Sequence, residues 1–117
     1  KGLENVSGLI LPEAQVNSRP SWFGFLITVK EDAGFTRIDM TQFLEEHKVQ
    51  TRNLFAGNLL KHPAFEQYVD GVDYRVIGQL PVTDIIMNAT FWIGVYPGMT
   101  KEKLQYMIDT IKAFVNK

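Results

Sequence analysis

The run Trp22-Phe23-Gly24-Phe25-Leu26-Ile27-Thr28-Val29 constrains the fold more than any other segment of this chain. Aromatic and β-branched residues dominate it, and it ends in the charged turn Lys30-Glu31-Asp32-Ala33-Gly34. At this length it falls far short of the roughly 20 apolar residues of a membrane helix. Because it does not alternate cleanly between apolar and polar residues, Trp22 to Lys30 is expected to form a strand that is apolar on both faces and central in its sheet.

The remaining elements alternate around it. Thr36 followed by Asp39 is a capping-box-like helix start, with Ile38, Met40, Phe43, Leu44 and His47 near one helical face and a stop near Lys48. Val49 to Phe55 returns to extended character, Ala56 to Lys61 is a turn, and Pro63 opens a short helix through Tyr68. After the Asp70-Gly71 turn, Tyr74 to Gly78 is a short strand. Pro81 opens another helix whose Val82, Ile85, Ile86 and Met87 are spaced to bury one stripe. Thr90 to Val95 is a strand, and Thr100 caps a final helix in which Leu104, Met107, Ile108, Ile111, Phe114 and Val115 form the apolar stripe. This order predicts an α/β (α+β) class, a small sheet covered on one face by helices. With 117 residues there is room for one domain. Residues 1–20, rich in turn formers up to Pro20, are expected to be a lead-in from an absent upstream large domain, with 21–117 as the domain proper. A start at Lys1 in place of Met fits a piece of a longer protein.

Composition narrows the chemistry. Twelve Lys and Arg against thirteen Asp and Glu give a net charge of -1 and no basic run, so neither nucleic acid nor an anionic membrane is an expected partner. Zero cysteines exclude a disulfide framework, a thiolate metal or iron–sulfur site and a cysteine nucleophile within these residues. That composition fits a cytoplasmic protein, and Lys1 to Ser7 has no secretory h-region. The nine glycines are scattered, without a phosphate-loop or nucleophile-elbow string. His47 and His62 stand too far apart for a helical metal pair, and His47 is expected to be a half-buried helix residue. Glu45 and Glu46 are adjacent, so they point to different faces.

One segment retains the marks of a ligand loop: Thr51-Arg52-Asn53-Leu54-Phe55-Ala56-Gly57-Asn58-Leu59. It joins a strand end to a tight turn and carries a guanidinium for an anionic group, two amides and an aromatic ring. Composition alone favours a plain strand-to-turn connection, with Asn58 tolerating unusual backbone angles and Arg52 meeting a surface carboxylate.

The order of segments then becomes specific. Leu11-Pro12-Glu13, Pro20-Ser21-Trp22-Phe23-Gly24-Phe25, the Thr51 to Asn58 string, His62-Pro63-Ala64-Phe65 and the closing Phe91-Trp92-Ile93-Gly94-Val95-Tyr96-Pro97-Gly98-Met99-Thr100 resemble the C-terminal region of the DegT/DnrJ/EryC1/StrS aminotransferase-fold family. Thr51-Arg52-Asn53-Leu54-Phe55-Ala56-Gly57-Asn58 is similar to its CDP-4-keto-6-deoxyglucose 3-dehydrase branch, the lipopolysaccharide-biosynthesis RfbH type. Sugar aminotransferases of the group often have His-Tyr-Pro and Leu-His where this chain has Leu54-Phe55-Ala56 and Leu59-Leu60, a departure from ordinary transaminase substrate contacts.

The resemblance implies the small domain of the fold-type I aminotransferase architecture, with a mostly antiparallel sheet. It also implies a parent enzyme that removes the C3 hydroxyl of a nucleotide-linked 4-keto sugar. Pyridoxamine or pyridoxal phosphate and a [2Fe-2S] cluster are then held by the upstream large domain and not by this chain. A homodimer, a flavin/iron–sulfur reductase partner and a nucleotide-sugar substrate follow from the same resemblance. Arg52, Asn53, Phe55, Gly57 and Asn58 become the substrate-binding candidates, with no catalytic residue in this chain. A nucleotide-sugar aminotransferase domain and a free-standing ligand-binding or regulatory module are the alternatives.

Overall fold

The structure, a computed structural model, describes residues 2–117, so Lys1 at the head of the expected lead-in lies outside the described residues. In chain order the elements are β1 (Leu9–Ile10), β2 (Gly24–Val29), α1 (Arg37–Glu46), β3 (Thr51–Asn53), α2 (Pro81–Ala89), β4 (Thr90–Gly94) and α3 (Lys101–Val115). Single 3-10 turns at Leu59–Lys61 and Pro63–Phe65 interrupt the long connection from β3 to α2. The four strands form one antiparallel sheet in the order β1-β2-β4-β3, so the apolar run is central, as its composition requires.

Register places Phe25 opposite Ile93 and Ile27 opposite Phe91. Alternation along a strand puts these side chains on one face. There they meet Met40 and Leu44 of α1 and Ile111 of α3, and Ile27, Phe91, Met40, Leu44 and Ile111 are all at 0% exposure. Phe114 closes one end of the layer, edge-on to Phe35 at 4.9 Å. On the alternate face Leu26 and Trp92 stay half-buried, Ile10 is exposed, and the Thr28 and Thr90 hydroxyls hydrogen-bond across the strands at 2.8 Å. Gly24 is required there, because a Cβ would collide with the Trp92 ring.

Both helix starts follow their caps. The Thr36 hydroxyl accepts from Asp39 N while the Asp39 carboxylate accepts from Thr36 N, completing the capping box. Thr100 accepts from Lys103 N at the head of α3. Strand β1, not foreseen in the turn-rich residues 1–20, pairs with β2, and Leu3 and Leu9 enter the core.

Four local expectations are corrected. Tyr74 to Gly78 is not a strand: among the described residues it joins no sheet, and Asp70 makes an isolated bridge to Tyr74 while its carboxylate accepts from Val76 N. The helix expected from Pro63 to Tyr68 is one 3-10 turn ending at Phe65. Trp22 and Phe23 lie outside β2 and are exposed. His47 is exposed at the C-cap of α1, where its ring stacks on Phe43 at 3.9 Å and Nδ1 pairs with the Phe43 carbonyl.

Phe91 sits between the strands and both covering helices. Phe91→Ala is therefore expected to cost about 3–5 kcal/mol of unfolding free energy in urea denaturation, and a loss under about 1 kcal/mol would contradict this placement.

Candidate functional site

The candidate loop begins on β3, which is held at its root by α1. Glu45, near the helix end, accepts hydrogen bonds from Thr51 N and, at 2.8 Å, from the Thr51 hydroxyl. These bonds, Thr51 N first, hold the Glu45 carboxyl below its usual range, and the Arg52 guanidinium adds a smaller pull. Arg52 pairs with Trp92 across the sheet, is exposed, and donates to the Thr51 carbonyl at 3.0 Å. Its side lines a cleft of about 830 Å³, together with Trp92, Tyr96, Lys103 and Tyr106. Lys103 Nζ lies 3.3 Å from the Tyr96 hydroxyl, and three cations (Lys48, Arg52 and Lys103), the Glu102 carboxylate and three aromatic rings border one opening.

Asn53 faces the other way. Its Oδ1 accepts from Arg37 Nη1 at 3.0 Å, and the same nitrogen donates to the Met87 carbonyl at 3.2 Å. Arg37 thereby ties the end of β3 to α2. The chain then reverses through two left-handed residues, Phe55 at φ 46° and Gly57 at φ 66°. Gly57 is necessary because a Cβ would run into Met87. Phe55 pays a backbone cost that glycine would avoid, and its ring stands 78% exposed.

Asn58 ends the turn inside the protein, at 3% exposure. Its Nδ2 donates to Asp84 Oδ1 at 2.8 Å and its Oδ1 accepts from Leu60 N at 3.0 Å. Lys61 completes the cluster with an ion pair to Asp84 at 2.9 Å. Lys61 and then Asn58 hold the Asp84 carboxyl below the ordinary aspartate range.

The five predicted residues thus share one strand-and-turn segment but divide into two kinds. Arg52 and Phe55 present chemistry outward; Asn53, Gly57 and Asn58 fix the path of the chain. Arg37, Lys61, Asp84, Met87 and Trp92 were not singled out in the sequence as site residues, since their partners lie 16 to 50 positions away or across the sheet. Among the described residues no group of three or more His, Cys, Asp or Glu gathers to hold a metal. The arrangement suits binding an anion beside a ring.

Two outcomes follow for the tether. Asn58→Ala should cost about 1–2 kcal/mol, read by chemical denaturation, because a cap and a buried hydrogen bond are lost together. A lowered carboxyl stabilises the fold above its unfolded value and loses that contribution as pH falls through the folded one. Amide-exchange protection of residues 54–61 should therefore drop below about pH 4, and Asp84→Asn should abolish that step. Protection unchanged down to pH 3 would contradict it.

Comparison with known proteins matches the chain to a family. The model of the DegT/DnrJ/EryC1/StrS aminotransferase family matches residues 1–112. The dTDP-4-dehydro-2,6-dideoxy-D-glucose 3-dehydratase of Saccharopolyspora spinosa is 49% identical over 117 residues, covering 100% of this chain and 24% of that protein. Lipopolysaccharide biosynthesis protein RfbH of Salmonella typhimurium is 50% identical over 115 residues, covering 97% of this chain and 25% of that protein. In structure, Escherichia coli GDP-4-keto-6-deoxy-D-mannose-3-dehydratase with bound hydrated PLP superposes at a TM-score of 0.81 and 20% identity, over 94% of this chain and 27% of that one. A Brucella abortus aminotransferase superposes at 0.78 and 18% identity, over 99% of this chain and 28% of that one. The two superpositions establish the fold, the small antiparallel sheet with its helices found in aminotransferase-fold proteins. The chain spans about a quarter of the length of these curated relatives. It belongs to the DegT/DnrJ/EryC1/StrS aminotransferase family.

Proposed function

We propose that these residues form the C-terminal small domain of a nucleotide-sugar 3-dehydratase, a CDP-4-keto-6-deoxy-hexose 3-dehydrase of 3,6-dideoxysugar and O-antigen biosynthesis. The observation that carries this reading is the 49% identity, over all 117 residues, to a protein named as a 3-dehydratase. The fold supports it without separating it from transamination, since the Brucella abortus aminotransferase shares the same architecture.

Pyridoxamine phosphate and a [2Fe-2S] cluster belong to the proposed whole enzyme, but the residues present do not fit either group. The chain has no cysteine, and its two histidines are engaged locally, His47 with the Phe43 carbonyl and His62 with Ala64 N. Their chemistry is therefore assigned to the rest of the polypeptide. A cytoplasmic homodimer served by a flavin/iron–sulfur reductase completes the proposal.

Within it, this domain supplies a wall for the nucleotide sugar. Arg52, with Lys103 beside it, meets the diphosphate; a guanidinium offers two parallel donors to phosphate oxygens. Phe55 offers an apolar face, and Asn53, Gly57 and Asn58 hold it and Arg52 in register on opposite ends of the turn.

The reaction is tested by giving the full-length protein CDP-4-keto-6-deoxyglucose and its dTDP counterpart with a reductase, and following the product by mass. Loss of the C3 oxygen is the expected outcome, whereas an amino sugar formed from an added amine donor would move the protein to the aminotransferases. Arg52→Ala should weaken nucleotide-sugar binding roughly 10- to 100-fold by calorimetry, the equivalent of one charged hydrogen bond at about 1.5–3 kcal/mol. Unchanged affinity with an intact fold would reject the role of Arg52.

A further inference from the structure

The cleft beside Arg52 is built from rings as well as cations. It opens at the start of β3, an edge strand, between the chain leaving α1, the end of β4 and the opening turns of α3. Its volume of about 830 Å³ suits a small-molecule ligand, for which sites run roughly 300–1,000 Å³.

Each ring has its own anchor. The Tyr106 hydroxyl donates to the His47 carbonyl at 2.9 Å. The Tyr96 hydroxyl meets Lys103 Nζ, and Gly98 lies so close beneath the Tyr96 ring that a Cβ would press on it. Trp92 packs against Phe23 with ring centroids 5.2 Å apart. Tyr96 and Tyr106 nonetheless stand 52% and 51% exposed, and neither stacks on another ring among the described residues. A ring that is anchored at its tip and open on its face loses little conformational freedom when a flat ligand stacks on it.

Charge is gathered at the same place. The whole chain carries a net charge of -1, yet Lys48, Arg52 and Lys103 border this opening against the single carboxylate of Glu102. That carboxylate is engaged at the start of α3, accepting from its own backbone N–H and from the Thr100 hydroxyl. The surplus at the opening is therefore positive and lies beside the rings. A flat heteroaromatic ring joined to a multiply charged anion is the ligand chemistry that matches both, and a nucleoside diphosphate has it.

We propose that this cleft holds the nucleoside diphosphate end of the substrate, with the pyrimidine base against the Tyr96 and Tyr106 rings and the diphosphate reaching Lys48, Arg52 and Lys103. This deepens the role given to Arg52 and rests on reading the chain as part of a nucleotide-sugar enzyme. Tyr96 and Tyr106 are then specificity residues, which favour a ligand carrying a base over phosphate alone. Stacking tolerates a change of base, since every base has a π-face, so CDP and dTDP both fit.

The test measures CDP and dTDP binding to the full-length protein by calorimetry, in the wild type and in Tyr96→Leu, Tyr96→Phe and Tyr106→Leu. Each leucine variant should weaken both nucleotides about 5- to 100-fold, the range of one lost base–aromatic stack. Tyr96→Phe keeps the ring without the hydroxyl that meets Lys103, and should recover most of that loss. Unchanged affinity in both leucine variants would overturn the stack, as would Tyr96→Phe binding as weakly as Tyr96→Leu, or no binding of either nucleotide to the wild type. The mass assay of the reaction is independent of this readout. Nucleotide binding through Tyr96 in a protein that only transaminates would leave the base site standing and remove the dehydratase reading. Loss of the C3 oxygen in a protein whose leucine variants bind CDP as tightly as the wild type would do the reverse.

Discussion

The pairing of β2 with β4 is the interaction on which the rest of this structure depends. Five register pairs, Gly24↔Gly94 through Thr28↔Thr90, bring together strands more than 60 residues apart and set Ile27 directly across from Phe91. That pair forms the floor on which Met40, Leu44 and Ile111 settle, so α1 and α3 have a place to pack only once the strands meet. Loop closure over such a distance costs entropy. Burial of the five fully covered side chains, at about 25 cal/mol per Å² of apolar surface, is the term that opposes it.

From that floor the candidate site is reached by two further ties. Glu45 fixes the first residue of β3 to α1, and Arg37 together with Asp84 fixes the following turn to α2. Arg52 and Phe55 stand at the exposed points of this braced segment. Binding residues held in this way lose less conformational freedom when a ligand arrives. The same bracing makes the loop sensitive to acid, because two of its clamps, Glu45 and Asp84, are carboxylates.

Local signals in the sequence told most about elements whose cause is local. The Thr36–Asp39 and Thr100 caps, Pro81 at the start of α2, and the apolar spacing of α3 all appear where expected. The central strand was legible because a run apolar on both faces has few other uses. Tyr74 to Gly78 had strand-like residues but, among the described residues, only the isolated bridge to Asp70, which propensity cannot reveal. Strand β1 is two residues long and exists only through its pairing with β2. In the candidate site, the strand-to-turn path of the chain was legible from its residue types, but the internal duty of Asn58 was not, since Asp84 is 26 positions away. For α2, periodicity announced a face to be covered without saying what covers it.

On the proposed reading, this domain contributes a shaped surface and the cofactor chemistry is assigned to the rest of a longer polypeptide. The most direct measurement is the structure of the full-length protein with a nucleotide sugar bound. The account predicts an Arg52 guanidinium nitrogen within about 3.2 Å of a diphosphate oxygen, the Phe55 ring at the edge of the same cavity, and every cofactor and cluster ligand drawn from outside residues 1–117. A nucleotide sugar bound without contact to the Thr51 to Asn58 segment, or a cofactor ligand contributed by this domain, would contradict it.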